Sequence, residues 1–298
     1  MPYEESASCE ESASCEESAS CEESASCEES ASLGRAAAPG RVAALGRVAS
    51  DTRLIFLRSM RQTLRSKVAV VFGAVQPLLY LVLFGPLLSD LVDVRGFGAG
   101  SAWQVFVPGV LIQLALFGAG FAGFGLIADL RSGVVERLRV TPASRTALLL
   151  GRVLRDTVVV AFQGAVVVAV GLALGLRAPV GGIAVGLALV VALAVSVASL
   201  SYVVALRTRS EDAFAPILSS VTLPLMLLSG ILLPMSLAPG WLDVVSRFTP
   251  FRYLVDAARA AFLGDYATAA VAEGALVAVA LLVASVALGA RRFRRENA

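Results

Sequence analysis

Lysine and histidine set the first limits on the chemistry open to this chain: it has one lysine, Lys67, and no histidine. A phosphate-cradling P-loop needs Gly-x-x-x-x-Gly-Lys-Ser/Thr, so that backbone N–H groups and the lysine ammonium converge on the phosphates. Lys67 stands between Ser66 and Val68 with no glycines framing it, which excludes ATP binding of that kind. Without histidine there is no Ser-His-Asp or Cys-His nucleophile system, no histidine-ligated metal and no rhomboid-type intramembrane protease. An aspartyl intramembrane protease needs two aspartates inside spans, whereas every aspartate here falls in a loop or near a span end. The four cysteines, Cys9, Cys15, Cys21 and Cys27, recur once per Glu-Glu-Ser-Ala-Ser-Cys repeat. That interval is wider than the two to four residues or so of paired metal-binding cysteines. The expectation is a chain that is no enzyme, with no catalytic residue, metal or cofactor of its own.

What the chain holds in abundance is apolar sequence. Of its 298 residues 57% are hydrophobic and 16% charged, with a mean hydropathy of +0.78; soluble domains carry about a quarter charged residues. The net charge of +2 conceals an asymmetry, because ten of the 23 acidic residues lie in the first 29 positions. From Leu33 onward 25 basic residues face 13 acidic ones, a balance of +12, nearly all of it arginine as in a GC-rich bacterial genome. The repeat over residues 4–32 is acidic and of low complexity and cannot bury enough apolar surface to fold alone. It fits a disordered tail, from a tandem repeat in the coding DNA or an upstream start. An Ala/Gly/Arg linker follows. The chain therefore divides into a tail and linker, residues 1–49, and one membrane domain, residues 50–298. No apolar stretch with a cleavage site precedes Val68, so no signal peptide is expected.

Crossing roughly 30 Å of hydrocarbon takes about 20 apolar residues, and six stretches qualify. They are Val68–Leu88, interrupted by Pro77 and Pro86, then about Trp103–Ile127, Thr157–Leu176, Val180–Leu206, Ala213–Leu233 and Thr268–Ala290. The predicted fold class is all-α integral membrane with six transmembrane helices. Arginine and lysine in the flanking segments set the orientation. With the N-terminus inside, the inner segments hold 17 of them and the outer segments 5, so both termini are expected to be cytoplasmic.

Four segments between or beside the spans carry more than hydrophobicity. In Ser50–Lys67, Leu54, Leu57, Met60 and Leu64 recur at helical spacing opposite Arg53, Arg58, Arg61 and Arg65, with Ser50 or Asp51 as the N-cap. This is a basic amphipathic helix on the cytoplasmic face, suited equally to anchoring on lipid or to docking a partner. The loop Asp129–Asp156 contains a short charged helix that Pro142 should end at about Thr141, after which a second helix runs through Leu148–Leu150 into the third span. Such a helix held between two spans is a mechanical handle, although its pattern alone also suits a solvated loop. Residues Pro234–Asp265 are too polar to span and too apolar to float. They read as two short interfacial or re-entrant helices broken at Pro250. The basic end Arg291–Arg295 is a stop-transfer signal. Polar groups within the spans are Gln76, Gln113, Gln163 and Glu273; the glutamines suit interhelical hydrogen bonds, and Glu273 lies near the outer end of its span.

Three stretches give the order of these segments a recognisable form. Glu136-Arg-Leu-Arg-Val-Thr-Pro-Ala-Ser-Arg145 follows the second span. Leu228-Ser-Gly-x-x-x-Pro234 leads to Pro239-Gly-Trp241, and Thr249-Pro-x-x-Tyr253-x-x-Asp256-x-x-Arg259 precedes the sixth span. In this order they resemble the type-2 permease family of ATP-binding cassette exporters, especially its daunorubicin-resistance-like branch, over about residues 50–295. The repeat tail has no place in that pattern. The resemblance implies a coupling helix of Glu136, Arg137, Leu138, Arg139, Val140, Thr141 and Pro142 that inserts into a separate cytoplasmic ATPase. It also implies an interface helix bearing Arg53, Arg58, Arg61 and Arg65, and ATP and Mg2+ used by the partner alone. The substrate path would lie between two permease copies, with Gln113, Pro216, Pro224 and Ser229 as residues along it. The expected partners are that ATPase, a second copy and the bilayer, not nucleic acid. The expected place is the bacterial cytoplasmic membrane. The cargo is read as a drug-like amphiphile, with polysaccharide or lipid export in the same family as the alternative and a non-transporting membrane scaffold as the alternative of another class.

Overall fold

The structure, a computed structural model, describes residues 41–65, 73–86, 102–134, 145–231 and 239–295. Residues 1–47 and 48–298 form separate units, and the helical bundle belongs to the second. The regular structure among the described residues is α-helical: α1 (Arg41–Arg65), of which residues 48–65 belong to this unit, α2 (Gly73–Pro86), α3 (Ala102–Gly120), α4 (Ala122–Arg131), α5 (Arg145–Ala173), α6 (Val180–Thr208), α7 (Glu211–Leu228), α8 (Gly240–Ser246), α9 (Pro250–Leu263) and α10 (Ala269–Arg295).

Five stretches are long and apolar enough to cross a membrane: 103–131, formed by α3 and α4 together, 146–173, 180–208, 211–228 and 269–292. At about 1.5 Å per residue the shortest of these reaches about 27 Å, just enough for the hydrocarbon core. The expected first span, 68–88, is described only as α2, residues 73–86. That piece covers about 21 Å, and the flanking residues of the expected span lie outside the described residues.

The bundle is organised on α6, which packs against α3, α4, α5, α9 and α10. Its sequence explains that place. Gly182, Gly186, Ala194, Ala198, Ser201 and Ala205 form the small, buried positions through which neighbouring backbones approach without a large side chain between them. Val190, Leu193 and the fully buried Tyr202 fill the remaining core. By contrast α7 buries only Phe214 and Thr222 along its length. The two helices after residue 239 meet at Pro250, the first residue of α9, where a missing N–H and a fixed φ suit a helix start. Gly264, at φ +93°, closes α9 by donating its N–H to Ala260 and Ala261 carbonyls.

Three sequence expectations shift in detail. Ser50 and Asp51 lie within α1 instead of capping it, and Thr52 Oγ1 already donates to the Val48 carbonyl at 2.7 Å. The second span is jointed: α3 stops at Gly120 and α4 resumes at Ala122. The fifth span ends at Leu228, where Gly230 turns the chain at φ +69°, short of the expected Leu233. Of the two helices expected around Pro142, the second runs through Leu148–Leu150 into the third span as expected. It is a single helix from Arg145, while residues 135–144 lie outside the described residues.

Candidate functional site

The residues proposed from the sequence for the substrate path occupy three environments. Gln113 is buried in α3, 4% exposed, and its Oε1 has no hydrogen-bond partner among the described residues. Pro216 and Pro224 are exposed on the outward side of α7, where each removes a backbone N–H from the helix ladder. Ser229 is buried at the end of α7, its Oγ donating to the Met226 carbonyl at 3.0 Å. The four do not converge on one site. An apolar cavity of about 140 Å3 does lie beside them, lined by Leu116 and Gly120 of α3, Val197, Ser201 and Val204 of α6, and Phe214, Leu218 and Thr222 of α7. None of the four lines it.

That cavity borders the joint in the second span. Ser201 serves the joint from α6: its hydroxyl donates to the Gly120 carbonyl at 2.5 Å and accepts from the Gly123 N–H at 2.9 Å. Backbone groups freed inside a span need such a partner, because lipid supplies none. Phe117, Phe121 and Phe124 stack along the joint at 6.0 and 5.8 Å, and Phe214 meets Phe124 edge-on at 4.8 Å.

A second cluster sits at the end of the bundle where α4 ends and α5 begins. Asp129 of α4 pairs with Arg152 of α5 at 2.8 Å, with the arginine side chain 9% exposed. One turn further, Arg155 Nε meets Asp156 at 2.9 Å and Arg155 Nη1 donates to Thr63 Oγ1 of α1 at 3.1 Å. Asp156 in turn accepts a hydrogen bond from the buried Tyr202 hydroxyl of α6. A cavity of about 260 Å3 opens onto this cluster between Ser59, Gln62, Thr63, Asp129, Arg152 and Arg155.

α1 presents its polar edge to that cluster. Thr52, Ile55, Ser59 and Thr63 are half-buried, while Leu54, Leu57 and Leu64 are exposed on the same side as Arg58, Arg61 and Arg65. The leucine stripe of the sequence therefore faces outward beside the arginines, and Arg53 is exposed as well. The proposed coupling residues Glu136, Arg137, Leu138, Arg139, Val140, Thr141 and Pro142 lie outside the described residues.

The opposite end is closed by α8 and α9. Leu254, Ala258 and Ala261 turn the buried face of α9 into the bundle. The helical stripe of α8 and the turn after it (Trp241, Val244, Val245, Phe248) is exposed, as an interfacial helix would be. Arg259 reaches from α9 across two other elements. Its Nε donates to the Val105 carbonyl of α3 at 3.1 Å, and its Nη2 donates to the carbonyls of Gly230 at 2.8 Å and Ile231 at 3.3 Å. Burial lowers this guanidinium to about 10, partly offset by Asp256.

In the elbow between α8 and α9, Asp243 accepts from Arg247 at 2.8 Å and from Arg252 at 2.6 Å. These bonds hold its carboxyl below the ordinary carboxylate range. A depressed acid stabilises the folded elbow fully above its unfolded value of about 3.9 and loses that contribution as pH falls through the folded value. Amide exchange at residues 240–253 is therefore expected to have no Asp243-dependent change from neutral pH down to about 5 and to gain one below about 4. Asp243→Asn should remove that acid-sensitive component; an identical acid response in the variant would refute the assignment.

Geometry of this kind, a jointed apolar bundle with ionic and hydroxyl groups at one end and a short helix pair at the other, is borne by a sequence that matches the ABC-2 type transporter family over residues 50–263. The chain belongs to that family. The match includes all three stretches on which the resemblance rests. ABC-2 permeases are membrane subunits for transport, not themselves catalytic, and normally work with an ATP-binding subunit. The daunorubicin resistance ABC transporter permease protein DrrB1 of Streptomyces coeruleorubidus is 24% identical over 247 residues, 81% of this chain and 85% of its own length. The probable doxorubicin resistance ABC transporter permease protein DrrC of Mycobacterium tuberculosis is 24% identical over 70% of this chain and 75% of its own. A putative transport permease, ycf38, of Cyanophora paradoxa is 27% identical over 66% and 69%.

Sequence reasoning missed the Asp129–Arg152 and Arg155–Asp156–Tyr202 contacts and the staple made by Arg259. Arg259 stood at the end of a quoted motif without a role. Asp156 and Tyr202 are 46 positions apart, and nothing local to either announces the other. A polar residue within an apolar helix was the available signal, and it was applied to the glutamines but not to Tyr202.

Proposed function

We propose that this chain is the membrane-spanning subunit of an ATP-driven exporter that moves a hydrophobic or amphiphilic, drug-like compound out of the bacterial cytoplasm. It works as a pair of copies with a separate ATPase that uses the ATP and Mg2+. The family match over residues 50–263 carries this reading. The cargo follows from the two relatives whose names specify daunorubicin and doxorubicin resistance.

The outward face of α7 supports the arrangement. Within an apolar span it exposes Ser219 and Ser220 together with Pro216 and Pro224; hydrocarbon solvates poorly the serine hydroxyls and the backbone carbonyls that the prolines leave without an N–H partner. A second copy or a wetted path between copies suits that face better than lipid. The domain doing this work begins near residue 50. Its amphipathic helix, with Arg53, Arg58, Arg61 and Arg65, lies on the inner surface beside the ATPase, and the loop holding Glu136–Pro142 enters it. ATP-driven closure of the ATPase pair then reweights inward- and outward-open packing, which requires the partner to bind the two states with different affinity.

Glu136→Ala combined with Arg137→Ala is expected to lower both ATPase co-purification and export at least tenfold, with membrane insertion unchanged. Co-expression with the candidate ATPase, pull-down through the permease and efflux of an anthracycline-like dye measure the three quantities. Wild-type pull-down and efflux in the double variant would sink the coupling assignment.

A further inference from the structure

We propose that the polar chain at the loop end of the bundle binds α1, α4, α5 and the adjoining end of α6 into one mechanical unit, jointed to the rest at Gly120–Phe121. Load applied where the chain leaves α4 and enters α5 then moves these helices together. The transmission part of this proposal rests on the exporter reading above; the existence of the unit does not.

The chain passes from α4 through residues 135–144 into α5, and the Asp129–Arg152 pair at 2.8 Å joins those two helices. Without it, a push at that end would spread them. With it, they share the displacement. Arg155 extends the link to α1 through Thr63 at 3.1 Å. Asp156 carries it to α6 through the hydroxyl of Tyr202, which is fully buried. Pairs so placed favour their geometry, because Arg152 and Asp156 are largely buried and separating either from its partner leaves a charge with little water to solvate it. The neighbouring Arg131–Glu211 contact to α7 is different in kind. It is 3.4 Å long with both side chains about half exposed, and pairs of that kind contribute little. α7 is thus outside the unit.

A rigid end needs somewhere to pivot. At Gly120–Phe121 the helix of the second span breaks, and the freed backbone groups are held by the Ser201 hydroxyl. The apolar cavity of about 140 Å3 lies against that break. Close-packed interiors resist deformation, so a break beside a void is where displacement meets least resistance.

Hydrogen exchange on the purified permease alone tests the unit. Asp129→Asn and Arg152→Gln are each expected to raise exchange at least tenfold in α4, in residues 145–156 of α5 and in residues 52–63 of α1, all together. The double substitution should add nothing further. Exchange raised only in the helix carrying the substitution, or a double effect equal to the product of the singles, overturns the unit. Where a neutral variant fails to accumulate, Asp129→Glu keeps the charge and displaces the carboxylate by one methylene, and a smaller rise in the same three segments is expected. Proteoliposomes containing the ATPase test transmission: the single variants should hydrolyse ATP yet transport at least threefold less cargo per ATP. An unchanged ratio overturns transmission. A wild-type chain that inserts but never stimulates the ATPase overturns the exporter reading instead, and the exchange pattern still decides the unit.

Discussion

Gly182→Ala is expected to lower the stability of the folded permease by about 2 kcal/mol, and Gly182→Leu to prevent its accumulation, while Gly181→Ala next to it is tolerated. A Cβ on Gly182 would stand 2.1 Å from the Ala261 carbonyl oxygen and 2.9 Å from its carbon. Both are backbone atoms of α9, so no rotamer change relieves the overlap, and carbon contacts want about 3.5 Å. α9 would have to move outward by roughly 1 Å or more, opening the contacts of Ala261 and Phe262 with α6. Forced overpacking costs about 1–3 kcal/mol. The helix propensity gained on replacing glycine with alanine offsets at most about 1 kcal/mol. At Gly181 the Cβ meets the Tyr266 hydroxyl at 2.9 Å, the far end of a side chain that is itself exposed and able to swing aside. Thermal unfolding in detergent, followed by the fraction remaining monodisperse, measures both. Equal behaviour of the two alanine variants would show that the α6–α9 approach is not what limits stability.

The same pair of helices shows which parts of the fold could be read from sequence. α9 was legible because its start is a proline and its buried residues, Leu254, Ala258 and Ala261, recur at helical spacing; both signals are local. The spans were legible for the same reason, since apolar runs of sufficient length need no knowledge of their neighbours. Gly182 and Gly186 have the spacing that lets helices approach closely, yet the spacing does not name the partner. Only the fold places Ala261 there. The joint at Gly120–Phe121 is invisible from within its own span because the group that sustains it, Ser201, is 81 positions from Gly120. α1 is the instructive failure of register. The sequence set its leucine stripe opposite the arginines, but Leu54, Leu57 and Leu64 are exposed on the same side as Arg58, Arg61 and Arg65, because the bundle end it meets is ionic and Thr63 and its neighbours turn inward. Of the candidate site, Gln113, Pro216, Pro224 and Ser229 were picked out by residue type alone, and the fold puts them in three different environments. The Glu136–Pro142 stretch remains a proposal from sequence.

Arg259→Met is expected to cost about 2–3 kcal/mol and to loosen two places at once, the end of α7 and the start of α3. The balance behind that figure has two large parts. Lowering the guanidinium from 12.5 to about 10 amounts to about 3 kcal/mol of penalty on the charged form, and methionine is free of it. Against this, methionine leaves the part-buried carbonyl of Val105 and the buried carbonyls of Gly230 and Ile231 without the donor that now reaches them, at about 1–3 kcal/mol for each of the two buried acceptors. The loss outweighs the relief because Gly230 and Ile231 directly follow α7, where the carbonyl end of a helix favours a cation. Arg259→Lys should be no better: it keeps the penalty of a buried charge but replaces a planar fork by a single ammonium that cannot reach α3 and α7 together. Exchange rates at residues 103–109 and 225–231 report the local effect, and detergent melting reports the global one. Lysine matching arginine in both would mean that charge, and not the fork, holds the ends together. Methionine melting with the wild type would mean that Gly109 alone secures the junction: its missing side chain lets the Ile231 carbonyl approach to where a Cβ would lie only 2.3 Å away, and the arginine would be incidental to that contact.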